Sequence, residues 1–83
     1  MKKYYLVTFQ NTHEAMKAER ESLLKQVKVV VVPTPTQITK SCGISLKVDE
    51  ENIKNIIKLV KSENIKVKEI FALDGENVKI MTI

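Results

Sequence analysis

The sequence predicts an α+β fold of the ferredoxin-like kind, a βαββαβ sandwich with one additional C-terminal strand. Three observations carry this. Tyr4-Tyr-Leu-Val-Thr-Phe9 is a run of aromatic and β-branched residues, the composition of a strand. Ile53, Ile56, Ile57 and Val60 fall at i, i+3, i+4 and i+7, the apolar face of a helix. Asp74-Gly75 stands between two apolar runs and marks a hairpin turn. Short connections and right-handed crossovers then favour an antiparallel sheet with two helices on one face. The first four strands are expected in the order 4-1-3-2, with the fifth beside the fourth.

The remaining elements follow in order. Asn11 can cap a first helix, and Glu14 three residues on can reach back as in a capping box. That helix is expected to run to about Gln26. Val27–Val32 is a second strand, continuously apolar after Lys28, and Pro33 is expected to end it because proline cannot donate to the ladder. Ile44-Ser-Leu-Lys-Val48 alternates, with Ile44, Leu46 and Val48 facing inward. Asp49 is expected to cap the second helix. Lys66–Leu73 and Asn77–Ile83 complete the sheet.

Length and composition bound the function. Eighty-three residues suit one small domain, 1–83, which buries roughly 60–65% of its unfolded surface. One cysteine excludes an intramolecular disulfide and any multi-cysteine metal site. No metal or cofactor is expected, since no phosphate loop, ligand cluster or acid–base pair stands out. The apolar stretch after Met1-Lys-Lys is too short for a signal peptide or a membrane span. A reducing cytoplasm is therefore the expected compartment, and a free thiol persists there. The net charge of +4 raises nucleic acid as a partner, but the lysines are spread along the chain. Three of the four aromatics sit in the first strand, without the spacing of an RNA-binding sheet. A diffuse positive field suits an acidic protein partner instead, and the apolar edge strand Val29–Val32 leaves a homodimer open.

Chemistry concentrates at Cys42. This lone thiol follows a Pro/Thr-rich loop, Pro33-Thr-Pro-Thr-Gln-Ile-Thr-Lys40, and sits in Ser41-Cys42-Gly43. Gly43 removes a side chain beside the sulfur and permits unusual backbone angles. The expected topology puts this loop at the same end as the start of the first helix, bringing Thr12 and His13 toward the thiol. A helix N-terminus, Lys40 or a protonated His13 would favour the nucleophilic thiolate. Thr12 could hydrogen-bond a sulfur anion, or only help to cap the helix. A small buried hydrophobe is the inert alternative for Cys42. Glu19 is a second anomaly, falling near the middle of the expected buried face of the first helix, where a carboxylate needs a partner.

Tyr5-Leu-Val-Thr-Phe-Gln-Asn-Thr-His-Glu-Ala-Met, then Glu19, Pro33-Thr-Pro and above all Ser41-Cys-Gly-Ile44, resemble the selenium/sulfur carrier protein-like family of small bacterial proteins. The resemblance covers nearly the whole chain. It departs at Thr36, where arginine is the residue expected after the second proline, so an anion-binding role for that position is not carried over. The resemblance implies a carrier that holds sulfur or selenium on Cys42 as a persulfide or selenosulfide. It also implies a donor such as a cysteine desulfurase, and an acceptor protein. Such a chain would be a carrier more than a stand-alone enzyme. The alternatives are a ferredoxin-like binding or regulatory module and a thiol redox sensor.

Overall fold

The computed structural model describes residues 3–34, 43–75 and 77–81. Its elements are β1 (Tyr4–Thr8), α1 (Thr12–Leu24), β2 (Val30–Pro33), β3 (Ile44–Asp49), α2 (Ile53–Lys61), β4 (Glu69–Asp74) and β5 (Asn77–Met81). The five strands form one antiparallel sheet in the order β2-β3-β1-β4-β5. That order is 4-1-3-2 read from the other side, with β5 beside β4, as the element pattern required.

Side-chain alternation divides the sheet into two faces. Tyr5, Val7, Leu46, Val48 and Ile70 join Ala15 and Ala18 of α1 and Ile53, Ile56 and Leu59 of α2 in the main core. Both helices therefore cover the same face. Leu6, Phe71 and Leu73 cluster on the opposite, helix-free face, with Tyr4 and Val32 packed against them. There the Lys47 ammonium stands 4.7 Å from the Tyr4 ring centre, a cation–π distance.

Both helices end alike, and not on glycine. Gln26 (φ 60°) follows α1 and Glu63 (φ 63°) follows α2, each in the left-handed region. Val27 N–H donates to Ser22 C=O and Gln26 N–H to Leu23 C=O; Asn64 and Glu63 do the same to Leu59 and Val60. These are the paired bonds of a Schellman ending, which satisfy the last carbonyls of a helix. The turn at Gln26 stops α1 at Leu24, two residues short of the expected end.

Other boundaries differ for physical reasons. Val27 is buried core rather than strand, and β2 begins only at Val30. The strand does end at Pro33, which is its last residue rather than the first beyond it. Thr34 N–H donates to Gly43 C=O at 3.0 Å, so Thr34 faces β3 and its neighbour Pro33 faces the open edge, where no donor is required. β1 closes at Thr8, although Phe9 beyond it is fully buried. β4 starts at Glu69 rather than Lys66. Thr8 explains this start: its C=O accepts from Lys68 N–H at 2.7 Å while its hydroxyl accepts from Glu69 N–H at 3.1 Å, a bulge where the ladder opens. β5 is described to Met81, and the last two expected residues lie outside the described ones.

Asp49 does not cap α2. It ends β3, and its carboxylate accepts from the N–H and side-chain amide of Asn52 at 2.9 and 2.8 Å. Asn52 occupies the cap position without a side-chain bond into the helix. The Asn52 amide, then its N–H, holds the Asp49 carboxyl below its ordinary pKa. Asn52 also accepts from Lys28 N–H at 3.3 Å, tying the approach to β2 to the β3–α2 turn.

Candidate functional site

The end of the sheet where β1 runs into α1 is closed by hydroxyl groups. Thr8, fully buried, donates its hydroxyl to Glu69 C=O at 3.2 Å and so stitches β1 to β4. The Thr34 hydroxyl is hydrogen-bonded to that of Ser45, also fully buried. With the Thr34 N–H to Gly43 C=O bond, this pair fastens together the two ends of the segment that carries Cys42. Residue type made Ser45 look like an outward polar position in an alternating strand. Its interruption of an apolar run next to a threonine-rich loop was the available signal.

Register places the start of α1 at the same end. Val7 is opposite Leu46, and the two strands run antiparallel. Carried onward, that register sets Gly43 level with Gln10, one residue before the α1 cap Asn11. The described part of the predicted site, Gly43 with Thr12 and His13, thus gathers at one end of the sheet. Thr12 and His13 open α1 and are both exposed. The cap is Asn11, whose side chain accepts from Glu14 N–H at 2.9 Å. That is one half of the expected capping box, and it leaves the Thr12 side chain out of the cap bond.

Lys40, Ser41 and Cys42 lie outside the described residues. Gly43 corrects one expectation. Its φ is not in the left-handed region, and a Cβ built on it meets no heavy atom within 4 Å. Neither backbone angle nor packing requires glycine there.

Glu19 corrects another. The buried face of α1 is Ala15, Ala18 and Ser22, while Met16 and Leu23 are about half exposed. Small residues let α1 sit close on the sheet, and the Ser22 hydroxyl turns back to Ala18 C=O at 2.7 Å instead of reaching for a partner elsewhere. This rotation leaves Glu19 half-buried at the rim rather than in the middle of the contact. There it lines a shallow depression on α1 with His13, Met16, Lys17 and Arg20.

Among the described residues, no three of His, Cys, Asp and Glu come together as a metal site. No described helix is long and apolar enough to cross a membrane.

Known proteins offer one point of comparison for this chain. No curated protein and no solved structure matches it. A family model does, over residues 4–72, a stretch that runs from β1 into β4 and contains the Cys42 loop. That family is described as "Putative Se/S carrier protein-like". The match spans most of the 83 residues, and the chain belongs to the Se/S carrier protein-like family.

Proposed function

We propose that this protein carries sulfur or selenium on Cys42, as Cys–S–SH or Cys–S–SeH, between a donor and an acceptor protein. Family membership over residues 4–72, a range holding the chain's single cysteine, is the observation that supports the reading. Loading balances without an added oxidant. The Cys42 thiolate attacks the terminal sulfur of a donor persulfide, the new S–S bond forms as the old one breaks, and the donor leaves as its thiolate. Delivery is the same exchange in reverse roles. A cysteine desulfurase is the donor class that generates such a persulfide, and a reducing cytoplasm suits the carrier.

Residue type suggests the auxiliary roles. His13 can hold or supply a proton as the thiol ionises, and Thr12 and Ser41 can donate hydrogen bonds to a sulfur anion. Lys40, two residues before Cys42 in sequence, brings a positive charge that would favour the thiolate. Gly43 adds no side chain next to Cys42 in sequence, which would ease the approach of a docking partner. Thr34 and Ser45 act as positioning residues, since they tie the base of the loop.

The test is intact-mass measurement after incubation with a cysteine desulfurase and cysteine. One added sulfur atom, about 32 Da, is expected on the wild type and none on Cys42→Ser. Absence of the adduct on the wild type, or its survival in Cys42→Ser, overturns the proposal. Sulfenic acid or an intermolecular disulfide under mild oxidant, with no persulfide, assigns the thiol to redox sensing instead.

A further inference from the structure

We infer that the outward surface of the two-helix layer docks an acidic protein, the persulfide donor of this carrier; the identity of that partner rests on the carrier reading. The helices divide their charges by exposure. On α1, His13, Lys17 and Arg20 are exposed beside Met16, Leu23 and Leu24, while Glu14, Glu19 and Glu21 are all half-buried. On α2 the exposed residues are Lys54, Asn55, Lys58 and Lys61. Neither helix presents a fully exposed carboxylate. Among the described residues the exposed carboxylates lie elsewhere: Asp49, Glu50 and Glu51 in the turn before α2, Glu63 beyond it and Asp74 at the β4–β5 hairpin.

Folding joins these cations into one surface. Both helices pack on the same face of the sheet. Lys25 shares a depression with Asn55, Lys58 and Leu59, so the two helices lie side by side. The helix-free face has no such field. There Lys47 stands with Asp49 and Glu69, the cross-strand partners of Leu6, Tyr4 and Thr8 respectively.

The mixture of charged and apolar groups selects the occupant. Helical spacing sets Arg20 and His13 between Leu24 on one side and Met16 and Leu23 on the other. A bilayer takes up a continuous apolar sector, and here cations split it. Single-stranded nucleic acid stacks its bases on aromatic rings, and neither helix has one. A second copy of this surface would set lysine and arginine against lysine and arginine. An acidic protein surface with apolar side chains among its carboxylates matches every part. It covers Met16, Leu23 and Leu24, which are 48%, 56% and 70% exposed, and meets the cations with opposite charge. Methionine and arginine are enriched at protein interfaces, which suits Met16 and Arg20 to the centre. The α2 lysines then form a rim that steers the encounter.

The surface also lies where a donor must come. α1 starts at the end of the sheet where Thr34 and Gly43 fasten the segment that carries Cys42. β3 runs away from that end and α2 returns toward it, which brings Lys61 back to the same end. The 13 residues of α1 span about 20 Å, so a partner lying along the helix reaches the base of the segment.

Equilibrium binding tests this without any sulfur transfer. The full chain with Cys42→Ser is titrated with the cysteine desulfurase of the same organism by isothermal titration calorimetry. Binding is expected, with a Kd that rises at least about tenfold between about 50 and about 300 mM salt. Adding Arg20→Glu with Lys58→Glu is expected to raise the Kd at least about tenfold at low salt. Adding Lys47→Glu with Lys79→Glu, an equal change of charge away from the helices, is expected to raise it less than about twofold. Unchanged circular dichroism verifies that each variant folds. No binding at about 100 μM desulfurase, an equal loss from the two double variants, or indifference to salt overturns the inference. So does tighter binding of poly-uridine RNA or phosphatidylserine vesicles than of the desulfurase. The carrier reading fails separately. A wild type that binds the desulfurase through Arg20 and Lys58 yet gains no sulfur adduct upholds the docking surface and overturns the carrier.

Discussion

At the scale of single residues, the end of the sheet that leads to Cys42 depends on a few hydroxyl groups. Thr34 and Ser45 are the most exposed to test, because Ser45 is fully buried and its hydroxyl is bonded to that of Thr34. Thr34→Val removes one partner and leaves a buried hydroxyl short of its bond. It is expected to lower the unfolding free energy by about 1–2 kcal/mol in urea titration. Adding Ser45→Ala removes the stranded group as well, so the double variant should regain part of the loss. A double variant less stable than Thr34→Val would show that the hydroxyls do not act as a pair. Individual side chains also marked where sequence reading went astray. Asp49 has the residue type of a helix cap, yet it spends both bonds on Asn52 in the turn before α2. Local chemistry allowed either use, and the path of the chain out of β3 chose between them.

At the scale of elements, each helix is closed by a left-handed residue that is not glycine. Gln26 and Glu63 take positive φ because the Schellman bonds around them require it. For a side chain bearing Cβ that conformation is strained. Glu63 is exposed, so Glu63→Gly loses little contact and relieves the strain. A stabilisation of about 0.5–1 kcal/mol is expected in thermal or urea unfolding, with the helix content by circular dichroism unchanged. These endings also explain why the boundary of α1 was not legible. Lys25 and Gln26 are good helix formers, and nothing in their identity announces a turn. α2 was legible because Ile53, Ile56, Ile57 and Val60 repeat at helical spacing, and the structure buries Ile53 and Ile56 with Ile57 and Val60 packed alongside. The buried face of α1 was misjudged for the converse reason. The sequence pattern sets Glu19 near the middle of that face, but the structure buries the small residues Ala15, Ala18 and Ser22 instead.

At the scale of the whole molecule, both helices cover one face of the sheet, and β2 and β5 form its two outer strands. A chain this small has little core to spare.

The sequence by itself determined the element order and the antiparallel five-strand arrangement, because those follow from local periodicity, turn chemistry and chain connectivity. It also carried the family resemblance, through Thr12-His13 and Ser41-Cys42-Gly43. Tertiary structure alone decided the rest. Which side of α1 is buried, where Glu19 lies, which backbone groups of β2 face outward and which hydroxyls tie the loop base depend on contacts between residues far apart in the chain. Register is the common cause. Thr34 bonds to Gly43 and Val7 stands opposite Leu46, and no local pattern of side chains encodes those pairings.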